Sequence, residues 1–473
     1  MINLIREIKM IGNKQLKLIT YFLIVPFLVI AQEINELPKL VVSENQRFVV
    51  SENEEPFFWL GDTAWLIFSK LSREEAVDYL NDRSAKGFNV IQVMVLHELD
   101  NHNYYGDPAL EDKDITKPVL TKGSDYNDDA AYDFWDHVDY IVDLAKERGM
   151  YVAMVPIWGT NLQSNTINVE NAKIYADWLS KRYANRSNII WLNGGDTKGN
   201  ENLEIWNTIG ATIKKNTPDK LMTFHPFGRM KSSTWFHNAD WLDFNMFQSG
   251  HRRYDQEEPD FGYGQDNYKY VNDDFALLPK KPTIDGEPAY ERIPQGLHDP
   301  KEPYWETDDV RRYAYWSVFA GGFGFTYGHN AIMQMHKPED ENPAFGAKEY
   351  WREALHADGA KQMQYLKKLL LSKPMLERVP AQELIAGDNG DKYDYLIATK
   401  GKDYAFIYTY TGRNIKVTMG VIEGEKLKAS WYNPRNGKYS NIGEFANKGL
   451  VEFDPPKKEK EGNDWVLVLE KVD

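Results

Sequence analysis

The chain has 473 residues, 71 of them acidic against 56 basic, a formal net charge of −15 and no cysteine. Such a charge repels nucleic acid and anionic lipid, and no basic stripe offsets it, so neither is an expected partner. The missing cysteines exclude a disulfide framework and an acylated lipobox anchor. Aromatic residues make up 14% of the chain, with 14 tryptophans; their faces suit stacking on sugar rings, although a large core also consumes aromatics.

At the start, Arg6, Lys9, Lys14 and Lys17 precede the apolar run LITYFLIVPFLVIA, which ends on a small residue, Ala31. Residues 1–31 therefore read as a signal peptide. The run, about 14 residues long and broken by Pro26, falls short of the roughly 20 that span a bilayer, which disfavours the rival reading as a transmembrane anchor. The expected location is the periplasm or the cell exterior, without membrane attachment after cleavage. The remaining 442 residues suit one large domain and one small one.

Eight short apolar runs follow, as buried parallel strands require: FFWLGDT (57–63), NVIQVMVL (89–96), YVAMVPIW (151–158), NIIWLNGGD (188–196), LMTFHPFG (221–228), LDFNMFQSG (242–250), PTIDGEP (282–288) and GFTYG (324–328). Between them, 72–87, 132–149 and 171–185 carry apolar residues at helical spacing, and Gly87 and Gly149 stand where helices stop. The link RMKSSTWFHNADW between the fifth and sixth runs is too short for a full helix. The alternation predicts an α/β fold, a (β/α)8 TIM barrel over 32–373, rather than an open doubly wound sheet. No G-x-G-x-x-G follows the first strand, which counts against a dinucleotide cofactor. Residues 40–58 read as a hairpin ahead of the barrel, either capping its floor or joining a later sheet.

After a helix at 359–372 the pattern changes. Pro374 and Pro380 mark the break, and YDYLIATK, YAFIYTYT, IKVTMG, LKASWYN and WVLVLE follow at short intervals with Gly and Asn turns. Residues 374–473 are thus expected to form a smaller all-β sandwich.

Barrel enzymes place reacting groups at the C-terminal ends of their strands. Asp196 ends the fourth strand and Glu287 the seventh, across one mouth from each other, as retaining glycoside hydrolysis requires of its two carboxyl groups. Asp196 alone would suit an Asx turn or N-cap after Gly194-Gly195. Glu287, between Gly286 and Pro288 at the end of an apolar strand, has no such explanation. Asp285 points the same way one layer deeper and could orient neighbours. Other strand ends supply candidate substrate contacts: Asp62, Trp65, His97, Trp158, Asn193, His225, Gln248, Tyr327 and His329. Together they make the mixture of stacking platforms and hydroxyl-binding groups that oligosaccharide or polysaccharide sites use, although each alone could be a packed rim residue. His97, His225 and His329 could instead ligate a metal, but no H-x-H or H-E-x-x-H spacing supports that, and no metal or organic cofactor is expected.

The segments FFWLGDTAW, WLNGGD, TIDGEPAYE, GGFGFTYGHN and ASWYNPRNGKY together resemble glycoside hydrolase family 140. The resemblance implies a retaining barrel with Asp196 as acid/base and Glu287 as nucleophile. It also implies a C-terminal sandwich sometimes described as collagen-binding, and apiosidase action on the pectin rhamnogalacturonan-II. The wider superfamily usually carries Asn-Glu where Gly195-Asp196 stands here, so the carboxylate is one methylene shorter and its backbone or the leaving group must come closer. The alternatives are another furanosidase or exo-glycosidase on the same barrel, or a non-catalytic carbohydrate-binding or adhesion protein. The sandwich is read first as a structural support.

Overall fold

The computed structural model describes residues 36–123, 125–164, 166–258 and 261–472. The apolar leader at 1–31 lies outside them. Eight strands form the barrel: β1 (Trp59–Thr63), β2 (Val90–Leu96), β3 (Tyr151–Ile157), β4 (Ile189–Thr197), β5 (Met222–Pro226), β6 (Asn245–Gln248), β7 (Thr283–Asp285) and β8 (Gly324–Tyr327). The helices that follow them are α1 (Arg73–Ala85), α2 (Phe134–Glu147), α3 (Val169–Arg182), α4 (Leu203–Asn216), α5 (Ser233–Phe236), α6 (Asn267–Ala276), α7 (Thr307–Phe319) and α8 (Asp358–Leu371). The parallel ladder runs without a break from β5 through β4, β3, β2, β1, β8 and β7 to β6.

Closure falls at the weak link seen in the sequence. β5 and β6 share no ladder; Asp243 N bonds Met222 O at 2.8 Å, and Thr223 Oγ1 bonds Phe244 O at 2.5 Å. The connection between them holds only the four-residue α5 and the short strand Met230–Lys231, antiparallel to β6. With no full helix to cover that seam, side-chain and single backbone bonds complete the (β/α)8 barrel.

The barrel interior is graded from apolar to polar. At its lower end Trp59, Phe244 and Phe323 pack edge to face, with centroids 5.4 to 6.2 Å apart. Higher up, buried Gln92 donates to the Gly286 carbonyl at 2.7 Å, immediately beneath Glu287. The segment ahead of the barrel is a three-stranded antiparallel sheet of Leu40–Val42, Val49–Ser51 and Pro56–Phe57. It lies at the floor, where Tyr151, the first residue of β3, donates to Pro38 O at 2.5 Å and meets Phe57 edge to face.

Beyond α8 an antiparallel six-stranded sheet, in the order Val379–Pro380, Ile397–Lys400, Tyr404–Thr409, Trp465–Lys471, Lys426–Asn433 and Lys438–Ala446, lies with a two-stranded ribbon, Ile415–Thr418 with Leu450–Phe453. The period-2 alternation of strands divides the side chains. Ala405, Ile407, Leu467 and Leu469 enter a core shared with Ile415, Val417 and Phe453 of the ribbon, whereas Phe406, Tyr408, Val466 and Val468 join the core of the barrel. Tyr408 stacks on Tyr315 of α7 at 4.7 Å, and Phe406 on Phe319 at 6.0 Å.

One charge anchors this contact. Buried Asp464 accepts from Arg311 of α7 at 2.8 and 2.9 Å, from Arg435 at 2.8 Å and from Tyr408 at 3.2 Å. Removing the carboxylate leaves the buried Arg311 guanidinium and the partly buried Arg435 without their counter-charge. Asp464→Ala is expected to lose about 3 kcal/mol or more of unfolding free energy, read as a lower urea midpoint.

Candidate active site

The barrel mouth opens into a cavity of about 580 Å³ whose lining includes Asp196, Glu287, Trp65, Trp158, Gln248 and His251. Asp196 reaches it through a distortion of β4. Gly194 pairs with His225 of β5, but Pro226 pairs with Thr197, so two residues, Gly195 and Asp196, bulge out of the ladder. Gly194, Gly195 and Asp196 have φ of 91°, 103° and 44°. Any side chain at 195 would collide with the Trp158 ring, since a Cβ there would lie 2.4 Å from Cε3. A bulge re-aims a side chain and bends its strand; here it sends the short aspartate from the strand end toward the mouth. That is the closer backbone approach which a residue one methylene shorter requires.

Glu287 stands two residues beyond β7 and is almost wholly buried. His251 Nε2 lies 3.2 Å from its Oε1, and His225 Nε2 lies 3.2 Å from its Oε2. The backbone N–H of Tyr290 approaches His251 Nδ1 at 3.4 Å. With Nδ1 accepting, Nε2 carries the hydrogen and donates to Glu287. The His225 contact is off the line a hydrogen bond prefers, and Glu287 Oε2 and Asp196 Oδ1 have no hydrogen-bond partner among the described residues. Below them Asp285 accepts from Ser249 Oγ at 2.6 Å and Asn267 Nδ2 at 2.9 Å, fixing the turn that carries Gln248 and His251.

The two carboxyl groups are pushed apart in acidity. Burial and the nearby Glu287 charge raise Asp196 to about 7, against weaker opposition from His225 and the Gln248 amide. Burial would raise Glu287 as well, but the two imidazoles together outweigh it and hold its carboxyl well below the usual range. Buried Asp285 is raised to about 7 despite its hydrogen bonds. One oxygen of Asp196, one ring nitrogen of His225 and one oxygen of Glu287 lie within 4.8 Å of one another. Two carboxylates and an imidazole could hold a divalent cation; they are equally an acid, a base and an orienting ring.

Of the other expected contacts, Trp65, His97, Trp158 and Gln248 line the cavity. His225 stands behind, wedged between Trp65 and Trp158 with centroids 5.3 and 5.7 Å away. Four do not reach the cavity lining. Asp62 is buried in an ion pair with Arg83 at 2.5 Å and accepts from Tyr79 at 2.6 Å. Asn193 turns outward to donate to Trp206 O at 2.8 Å. Tyr327 donates to Glu291 at 2.6 Å, and His329 Nδ1 caps a short helix by accepting from Ala331 N at 3.1 Å. These four hold the barrel wall together. His329 and exposed His97 also lie outside the trio of possible ligands.

Sequence reasoning missed His251 and Tyr290, each three residues beyond a recognised strand-end residue, Gln248 and Glu287. It also missed the wall formed by 333–345. There Gln334 Oε1 accepts from Ala344 N at 2.7 Å, Asn330 Nδ2 donates to Phe345 O at 2.9 Å, and Asp340 pairs with Lys70. Segments without strand or helix periodicity gave no cue to that wall.

A closed barrel with two carboxyl groups of opposite acidity under an aromatic mouth is the architecture of a glycoside hydrolase, and the comparisons agree. A solved structure described as a glycoside hydrolase is 47% identical over 92% of this chain and 97% of its own, with a TM-score of 0.86. Another, described as a glycoside hydrolase family 5 protein from Bacteroides vulgatus, is 45% identical over 92% and 93%, also with a TM-score of 0.86. The family described as "Apiosidase-like, catalytic domain" matches residues 43–377, and "Putative collagen-binding domain of a collagenase" matches residues 379–470. The chain belongs to the apiosidase-like family of glycoside hydrolases. No curated protein matches it.

Because His251 helps to keep Glu287 ionised, His251→Phe is expected to move the acidic limb of the kcat/KM profile upward by about one pH unit. An unmoved limb would show that the ring does not act on this carboxylate.

Proposed function

We propose that this protein is a retaining apiosidase that cleaves apiosyl linkages in side chains of rhamnogalacturonan-II, with Glu287 as nucleophile and Asp196 as acid/base. The observation that carries the mechanism is the spacing: carboxyl oxygens within 4.8 Å suit direct attack, with carboxyls about 5 to 5.5 Å apart, rather than the roughly 6.5 to 9.5 Å that leaves room for a water in inversion. The sugar assignment rests on the family. The basic and apolar leader fits delivery to the periplasm or the exterior, where pectin fragments would be met.

In the first step Glu287 Oε2, the oxygen without a hydrogen bond, attacks the anomeric carbon. The bond from that carbon to the glycosidic oxygen breaks, and Asp196 gives its proton to the departing oxygen. Esterification removes the charge on Glu287 and with it one of the causes that raise Asp196, so the acid of the first step becomes the base of the second. Asp196 then takes a proton from water, whose oxygen bonds to the anomeric carbon and releases Glu287 as carboxylate.

Glu287→Gln is expected to lower kcat on the order of 10^4-fold, with an unchanged far-UV spectrum. Asp196→Asn is expected to lose about 10^2- to 10^4-fold on natural linkages and far less on aryl glycosides, whose leaving groups need no proton. The wild-type kcat/KM should fall as pH rises through about 7, where Asp196 loses its proton, and that limb should vanish in Asp196→Asn. NMR of the first-formed product should show the starting anomeric configuration, and inversion would overturn the mechanism. Mass spectrometry of digested side-chain oligosaccharides tests the sugar; release of a pentose other than apiose would reassign it.

A further inference from the structure

A tyrosine-lined groove lies on the outer wall of the barrel. It runs between α1 and the approach to α2, has a volume of about 680 Å³ and is lined by Arg73, Val77, Tyr105, Tyr132 and Tyr140, with carboxylates along it. Of its lining rings Tyr105 is the most exposed, at 47%; the neighbouring Tyr104, equally exposed, stands beside the groove in contact with Tyr105 at 5.2 Å.

Exposed rings are common, but these are held. The Tyr105 hydroxyl accepts from Arg73 N at 3.1 Å, and its ring packs edge to face on Tyr132 at 5.7 Å and His137 at 5.6 Å. Tyr132 is tied to His137 Nδ1 at 2.7 Å, and the Arg73 guanidinium lies 4.2 Å over the Tyr140 ring. A half-exposed ring fixed by its neighbours and its hydroxyl loses little freedom when a ligand stacks on it. Sugar rings present the C–H faces that such a platform takes, and the charged groups beside it can bind their hydroxyls.

The groove is also placed to share a chain with the catalytic mouth. Tyr104 lies under the Lys337 ammonium at 4.3 Å, and Lys337 N donates at 2.8 Å to Asp340, which lines the catalytic cavity. The charge balance selects the ligand. Among the residues lining the groove, Glu74, Asp107 and Asp129 outnumber Arg73, and Lys337 beside Tyr104 is already paired with Glu75, so a polyuronate would meet net repulsion.

We infer that the Tyr104–Tyr105 groove binds a neutral stretch of polysaccharide and holds the polymer beside the catalytic cavity. This rests on the glycoside hydrolase class and not on the apiosyl assignment. Affinity electrophoresis of the full chain, in gels containing arabinan, galactan, xyloglucan or polygalacturonate, tests it without turnover. Retardation is expected in at least one neutral polymer. Tyr105→Ala is expected to weaken it about fivefold or more, Tyr105→Phe to retain most of it, and both variants to keep wild-type activity on a small aryl glycoside. Retardation in no neutral polymer, equal retardation of Tyr105→Ala, or retardation by polygalacturonate alone would overturn the inference, whichever sugar the cavity hydrolyses.

Discussion

Two carboxyl groups close enough to share one sugar carbon cannot both be charged at low cost, and the barrel mouth is organised around that repulsion. Burial alone would raise both. What separates them is the placement of imidazoles: His225 and His251 both address Glu287, while Asp196 has only the charge of the His225 ring and the Gln248 amide to set against burial and the Glu287 charge. The charge is therefore retained on the residue from strand seven and the proton on the residue from strand four. In the proposed mechanism the same asymmetry also lets the roles change, because neutralising Glu287 removes a cause of the raised pKa of Asp196.

Holding that arrangement demands structure at two depths. Nearest the reaction, the bulge at Gly195-Asp196 places three consecutive residues at positive φ, a conformation that costs about 1 kcal/mol or more at a non-glycine residue and persists only where the surroundings enforce it. The Trp158 ring against Gly195 and the Phe224 ring against Gly194 are those surroundings. One layer down, Asp285 fixes Ser249 and Asn267, and Gln92 crosses the barrel to the Gly286 carbonyl. Glu287 is thus supported from beneath by a buried polar layer in which Asp285 is held by Ser249 and Asn267 and the Gln92 amide donates to the backbone, while Gln92 Oε1 and Asn267 Oδ1 have no partner among the described residues.

The strands were legible because buried parallel strands are written as apolar runs, and α1, α2 and α8 because their apolar spacing and terminal signals agree. The seam between β5 and β6 was legible as a link too short for a helix. Side-chain direction at strand ends was not. Asp62, Asn193, Tyr327 and His329 sit at ends as polar as that of β6, yet Arg83, the Trp206 carbonyl, Glu291 and the Ala331 amide capture them away from the cavity. Each of those partners lies 2 to 36 residues away in sequence, and no local pattern announces the pairing. His251 was missed for the converse reason: the turn that brings it back over Glu287 is set by Ser249 bonding Asp285, a contact between different strands.

The C-terminal sheet offers a physical argument about its own role. A sheet binds a ligand on a face or along an edge, and here both faces are occupied, one by the two-stranded ribbon and the other by α7 through Tyr408 on Tyr315 and Phe406 on Phe319. The Asp464 cluster reinforces the second contact from within. What remains open, besides the two-residue edge Val379–Pro380, is the edge strand Lys438–Ala446, mostly exposed, irregular in register where it faces Ala429 and Ser430, and carrying Lys438 and Glu444. Charge and a bulge on an edge discourage strand addition. The packing therefore favours support of α7, and through it of the Asn267 to Tyr313 carbonyl bond that steadies Asp285, over capture of a second macromolecule by the sheet.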